Sequence, residues 1–74
     1  MKRNNAIVPI PGLCDRFRFC RQSAGYTMDE LAKKLGLSKN SILNYETGKA
    51  EPALSTLVKM AMLFGVSVDY LLGI

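Results

Sequence analysis

Four polar residues crowd one short stretch of the chain, residues 36–49: Lys39, Asn40, Ser41 and Asn44. A lysine ammonium can donate hydrogen bonds to guanine O6 and N7, an asparagine carboxamide can form two hydrogen bonds with adenine, and a serine hydroxyl can serve a base or a phosphate. Residues 40, 41 and 44 share one face if the stretch is helical, because residues three and four apart are neighbours on a helix. The stretch is therefore either a surface that binds nucleic acid or a polar face that is simply solvated.

The charge of the chain favours the first interpretation without deciding it. The 74 residues carry 10 Lys and Arg against 6 Asp and Glu, a net charge of +4. The excess lies in residues 1–50, which hold nine basic and four acidic residues, whereas residues 51–74 hold one basic and two acidic residues. A basic half favours an acidic partner, and nucleic acid is the commonest one for a small domain. The alternative is that the charge only keeps the protein soluble.

Several classes of function are disfavoured by what the chain lacks. It has no histidine, so the usual Cys/His zinc sites are absent, and it shows neither paired carboxylates in a plausible cleft nor a phosphate-cradling loop. We therefore expect no enzyme activity, no metal and no cofactor. Cys14 and Cys20 are six residues apart on one predicted helix and cannot pair within it, so we expect free thiols in a reducing cytosol, with Cys20 in the core. No apolar segment is long enough to span a bilayer.

Hydrophobic spacing predicts five short helices after an extended arm, residues 1–12, that contains Pro9, Pro11 and Gly12. The first helix begins at Leu13. The second starts at a capping box, in which the side chains of Thr27 and Glu30 bond each other's backbone amides. Ser38 and Ser67 are expected to cap the third and fifth helices, and the fourth follows Pro52. The five helices are expected to stop, in order, at Gly25, Gly36, Gly48, Gly65 and Gly73.

The second and third predicted helices are joined by residues 36–38 alone. A linker this short, with Gly36 after the first helix and Ser38 capping the next, forces a sharp turn between them. The sequence therefore predicts an all-α protein in which residues 13–74 form a single domain around a helix-turn-helix unit.

From Arg16 to Leu72 the sequence resembles the phage repressor and Cro family of helix-turn-helix proteins, also called the Xre family. The resemblance is carried by residues at many spaced positions: Arg21, Thr27, Leu31, Ala32, Gly36, Ile42, Glu46, Thr47, Gly48, Pro52, Leu57, Ala61 and residues 65–69. It implies a five-helix, lambda-repressor-like DNA-binding domain. It also implies that the third helix enters the DNA major groove, with Lys39, Asn40, Ser41 and Asn44 contacting bases. Leu43 departs from the family pattern, and it could contact thymine methyl groups, lie at the groove wall or simply be exposed.

The resemblance also implies roles for residues outside the polar face. The second helix would point its N-terminus at phosphate, so the expected phosphate contacts are Thr27, Met28 through its backbone amide, Thr47 and Lys49. Arg21 and Glu46 are expected to form a partly buried ion pair that ties the first helix to the third. The other charges on the first two helices, Arg16, Arg18 and Lys34, are expected to be solvated.

Relatives of this type use the loop before the fifth helix, and that helix itself, to dimerise. The expected dimer interface here is Val66, Val68, Tyr70 and Ile74, and Val58 and Met62 add apolar character on the fourth helix. Phe19 marks a second candidate patch. The leading hypothesis is a cytoplasmic transcriptional regulator of bacterial or phage origin, acting as a repressor that binds a palindromic operator as a dimer. The alternative is a protein-interaction module, such as an antitoxin or accessory regulator. No small-molecule ligand or membrane partner is expected.

Overall fold

The computed structural model describes residues 10–74, which form five helices in the order that the sequence predicts. These are α1 (Leu13–Ser23), α2 (Met28–Leu35), α3 (Lys39–Thr47), α4 (Leu54–Phe64) and α5 (Val68–Leu72). No strand occurs among these residues. The predicted all-α, lambda-repressor-like class is confirmed. The predicted arm, residues 1–12, lies mostly outside the described residues, which include only its last three positions.

Every helix contributes one large, fully buried side chain to a single core. These side chains are Phe17, Leu31, Ile42, Met60 and Leu71, in the order α1 to α5. Full burial of such a side chain stabilises the folded state by about 1.5–3 kcal/mol. Tyr45 is only half-buried, but its ring centroid lies 5.9 Å from that of Phe17. The short helices therefore hold one another in place through a shared core.

The two cysteines are free thiols, and Cys20 lies in the core as expected. Burial raises the pKa of the Cys20 thiol by disfavouring its charged form. The thiol therefore stays neutral at physiological pH and packs as a small apolar group.

The turn between α2 and α3 is held by backbone and side-chain hydrogen bonds at both of its ends. Gly36 takes φ +71°, and the Leu37 amide donates to the Ala32 carbonyl over 2.9 Å, which closes the end of α2. The Ser38 hydroxyl accepts from the Ser41 amide over 3.1 Å and caps α3. The predicted caps and the predicted turn are thus both present, and they set the angle at which α3 leaves α2.

The expectation that Arg16 and Arg18 are solvated was wrong, because both are half-buried and donate to backbone carbonyls. Arg16 Nε donates to the Leu71 carbonyl in α5 over 2.9 Å, and Arg16 Nη2 donates to the Pro11 carbonyl over 2.7 Å. Arg18 Nη1 donates to the Glu46 carbonyl near the end of α3 over 3.1 Å. Helical spacing within α1 could not reveal acceptors so far along the chain. Lys34 is exposed, as expected.

Candidate nucleic-acid interface

The four candidate base-reading residues lie in the first two turns of α3, where Asn40, Ser41 and Asn44 share one face and Lys39 is the first residue of the helix. Ile42 and Glu46 face inward, with 0% and 3% of their surface exposed. Lys39 and Asn40 are exposed, and Ser41 and Asn44 are half-buried. The inward residues therefore fix the rotation of α3 about its own axis and leave the polar residues facing outward.

These four polar side chains are engaged to different degrees. Lys39 Nζ lies 3.9 Å from Asp29 Oδ2 in α2, with more than 60% of each side chain exposed, and the Ser41 hydroxyl lies 3.1 Å from that of Ser38. Within residues 10–74, no hydrogen bond engages the carboxamides of Asn40 and Asn44. An exposed ion pair stabilises the fold by about 0.2–1 kcal/mol, so Lys39 can exchange Asp29 for another acceptor at little cost.

The N-terminus of α2 presents two backbone amides that have no partner in the helix. The Glu30 carboxylate accepts from the Thr27 amide over 2.8 Å, and the Thr27 hydroxyl accepts from the Glu30 amide over 3.1 Å. The capping box thus satisfies two donors and leaves the amides of Met28 and Asp29 without an intrahelical acceptor. The Met28 side chain packs against the core. Any anion at this end would therefore meet the Met28 amide and not its side chain.

The other two candidate phosphate contacts follow the polar face of α3. Lys49 is exposed just beyond the helix, and its amide donates to the Asn44 carbonyl over 2.9 Å. The Thr47 hydroxyl donates to the Leu43 carbonyl over 2.9 Å. Because that proton is engaged within the helix, the Thr47 side chain would have to rotate before it could donate to a phosphate.

Arg21 and Glu46 form a buried, bidentate ion pair that joins α1 to α3. Arg21 Nε lies 2.5 Å from Glu46 Oε2, and Arg21 Nη2 donates to Glu46 Oε1 over 3.1 Å. Arg21 Nη1 also donates to the Tyr26 carbonyl over 2.9 Å. The planar guanidinium matches the carboxylate geometry in a way that an ammonium cannot. Together with the bond from Arg18 to the Glu46 carbonyl, this pair sets the position of the C-terminal half of α3.

The candidate dimer residues divide into a packed pair and an exposed pair. Val66 and Val68 are half-buried and pack against the core, whereas Tyr70 and Ile74 are 43% and 85% exposed. Leu54, which the sequence reasoning missed, is 80% exposed. Its signal was present in the sequence, because Leu54, Val58 and Met62 recur every four residues.

Leu43 and Phe19, to which the sequence assigned no single role, are both exposed. Leu43 is 42% exposed beside the polar face of α3, and Phe19 is 60% exposed on α1. In the part of the chain that the structure describes, no group of His, Cys, Asp and Glu side chains could hold a metal ion, and no helix is long and apolar enough to cross a membrane.

Helices α2 and α3 form a helix-turn-helix in which α3 has a buried inner side and a polar outer side. Comparison with known families identifies the class of protein that has this arrangement. The family described as "Helix-turn-helix" matches residues 17–71. The chain belongs to this family, in its phage repressor, Cro or Xre branch, as the resemblance predicts.

Two curated relatives come from Bacillus subtilis strain 168. The chain is 47% identical over 58 residues to the HTH-type transcriptional regulator ImmR, covering 78% of this chain and 46% of ImmR. It is 45% identical over 58 residues to the SPbeta prophage-derived uncharacterized regulator YonR, covering 78% of this chain and 54% of YonR. The chain thus spans about half the length of these relatives.

Two solved structures share the fold along most of their length. The P22 c2 repressor in complex with a synthetic operator superposes with a TM-score of 0.75 at 27% identity, covering 80% of this chain and 89% of the repressor chain. SinR in complex with DNA superposes with a TM-score of 0.74 at 31% identity, covering 81% of this chain and 97% of the SinR chain. The fold described above is therefore one that those proteins use when bound to DNA.

Proposed function

We propose that this protein binds double-stranded DNA in a sequence-specific manner and acts in the cytoplasm as a transcriptional regulator, most simply as a repressor that occludes a promoter. The observation that carries the proposal is the outward polar face of α3 in a helix whose inner side is buried. In this docking Lys39, Asn40, Ser41 and Asn44 contact base edges in the major groove. Each well-placed bidentate contact discriminates between bases by about 1–3 kcal/mol.

Phosphate contacts hold α3 at the correct depth in the groove. The open amide of Met28, with Thr27 beside it, lies at the positive end of the α2 dipole, where anions bind. Lys49 contributes a full charge just beyond the C-terminal end of α3, and Thr47 contributes after its hydroxyl rotates. Contacts on both sides of the groove are what orient a recognition helix without themselves reading sequence.

A palindromic operator follows if two copies bind as a symmetric dimer, because half-sites then lie about one turn of DNA, roughly 34 Å, apart. The candidate dimer surface is Val66, Val68, Tyr70 and Ile74, with the exposed Tyr70 and Ile74 supplying most of the new contact. Apolar burial between copies would make binding to the two half-sites cooperative.

The exposed Phe19 and Leu43 favour one alternative, a protein-interaction module in which the same fold binds a protein partner. Two isolated apolar residues are common on protein surfaces, so they support this alternative less strongly than the polar face of α3 supports DNA. The family and the relatives named above are regulators and not enzymes.

Selection from a random duplex DNA pool, followed by binding of the selected sequence at several salt concentrations, separates the two functions. We expect a palindromic sequence that binds far more tightly than random DNA, with affinity that falls steeply as salt rises. Failure to enrich any sequence, with weak and salt-dependent binding to all duplexes, would favour the interaction module.

Asn44→Ala tests the assignment of the reading face. We expect it to weaken binding to the selected site by about 1–3 kcal/mol, the cost of one bidentate base contact, while leaving binding to random duplex unchanged. Gln22→Ala, which removes an exposed carboxamide from α1, is the matched control and should change neither affinity. Unaltered sequence preference in Asn44→Ala would show that α3 does not read bases through this residue.

A further inference from the structure

A row of exposed apolar side chains runs along α4. Leu54, Val58 and Met62 are 80%, 47% and 76% exposed. Residues four apart lie on one face of a helix, and this row is about 12 Å long at 1.5 Å per residue. Single exposed apolar residues need no explanation, but an aligned row is typical of an interaction surface.

Two lysines flank one end of this row. Lys34, Lys59, Met62 and Leu63 line a shallow depression of about 180 Å³ between the last turn of α2 and α4. Within residues 10–74, neither Lys34 nor Lys59 takes part in an ion pair. The surface formed by Leu54, Val58, Met62, Lys34 and Lys59, named here the α4 surface, therefore combines an apolar row with positive charge on one side.

A second copy of the chain fits this surface poorly. In a symmetric dimer each patch meets its own copy, so a contact through the α4 surface would bring four lysines together with no acid among them. Like charges across an interface oppose association. Nucleic acid fits poorly as well, because the apolar row offers no hydrogen-bond donors to phosphate or base edges.

We propose that the α4 surface docks an amphipathic helix of a partner protein, with apolar side chains four residues apart on one face and Asp or Glu along one flank. The apolar side chains would pack along Leu54, Val58 and Met62, which is how helices bind in grooves. The carboxylates would pair with Lys34 and Lys59 and fix the direction of the bound helix. Lys34 lies six residues beyond Met28, about 9 Å along α2 from the proposed phosphate contact. The proposal does not depend on DNA binding.

The chemistry of the partner can be determined with a phage-displayed library of helical peptides selected on the full chain. We expect enrichment of peptides with apolar residues four apart and an acidic flank, whose affinity falls as salt rises. Met62→Glu and Lys59→Glu should each weaken binding of the selected peptide at least about tenfold. The first substitution places a carboxylate against the acidic flank of the peptide, and the second reverses the charge that pairs with that flank. Lys33→Glu, the same charge change on an exposed α2 lysine outside the surface, is the control.

Three outcomes would overturn the proposal. The first is enrichment of no sequence, or only of basic or neutral ones. The second is equal binding of the selected peptide to the native protein and to Met62→Glu, with the helical fold of the variant verified by circular dichroism. The third is a different occupant of the surface. If the native protein sediments as a dimer and Met62→Glu does not, the surface belongs to a second copy. If the native protein binds phosphatidylglycerol vesicles and Met62→Glu does not, the surface binds lipid.

Discussion

At the scale of single residues, Glu46 does the most to position the proposed reading face. Its carboxylate receives two hydrogen bonds from Arg21 and its carbonyl receives one from Arg18, so α1 holds α3 through both parts of the residue. Glu46 is 3% exposed and Arg21 is 9% exposed. An ion pair buried this deeply contributes little when compared with apolar replacements, but it is costly to break from one side.

Glu46→Ala should therefore lower the free energy of unfolding by about 3–5 kcal/mol, because it leaves the Arg21 guanidinium buried without a counter-charge. Urea denaturation measures this loss. Asp15→Ala is the matched control, since it breaks an ion pair with Arg18 in which 43% of the arginine side chain and 73% of the aspartate side chain are exposed, and it should cost no more than about 1 kcal/mol. Equal effects of the two substitutions would refute a special role for the buried pair.

At the scale of helices, α5 depends on a distant arginine for its C-terminal end. The helix has only five residues, too few for stability on its own. Leu71 anchors it in the core, Ser67 caps its start, and Arg16 binds its Leu71 carbonyl. Gly73 takes φ +78° just beyond the helix, and a Cβ there would lie 2.6 Å from Arg16 Nη2. A side chain at this position would therefore require the Arg16 guanidinium to shift.

Arg16→Ala should loosen α5 selectively. The Gly73 amide, which donates to the Asp69 carbonyl over 2.9 Å, should lose protection against hydrogen exchange through local opening of α5. Amides of α2 and α3 should lose no more protection than the fall in global stability removes. The global cost should be about 1.5–3 kcal/mol, the value of hydrogen bonds to a charged donor. Lys34→Ala removes an exposed charge and should alter neither quantity. Unchanged exchange at Gly73 in Arg16→Ala would show that Leu71 and Ser67 suffice to hold α5.

At the scale of the whole molecule, the proposed DNA-binding groups and the exposed apolar row of α4 lie on different helices. Lys39, Lys49 and the open α2 N-terminus lie around the polar face of α3, whereas the apolar row lies on α4 and the candidate dimer residues lie at and around α5. The basic excess of residues 1–50 thus gives the protein a positively charged region with which to approach a polyanion.

Lys49→Ala should reduce the salt dependence of duplex binding by about one ion, because each neutralised phosphate contributes a slope of about −0.9 in log affinity against log salt. Both selected and random duplexes should show the change, since phosphate contacts carry no sequence information. Lys59→Ala removes the same charge from α4 and should leave the slope unchanged. Titrations at four or more salt concentrations distinguish the two variants, and equal slopes for them would mean that Lys49 acts only through net charge.

The sequence predicted the features that are encoded by neighbouring residues, and it did not predict contacts between residues that are far apart in the chain. The capping box at Thr27, the Ser38 cap and the glycine stops are encoded within a few residues, and all of them appear as expected. The roles of Arg16 and Arg18 were missed because their carbonyl acceptors lie 55 and 28 residues away. On α4 the sequence indicated Val58 and Met62, and only Leu54 was missed, because it precedes the inward stripe of its helix. Which side chains contact DNA remains a prediction.

The inward anchoring of α3 has a consequence for how such a protein can change over time. Ile42 and Glu46 hold the helix, whereas the exposed Lys39 and Asn40 contribute little to the core. Substitutions at exposed positions of this kind usually alter stability by less than about 0.5 kcal/mol. Under the proposed function, the preferred operator can drift through successive replacements on the outer face while the fold stays intact. Two descendants of one ancestral gene could then come to control different promoters without either passing through an unfolded intermediate.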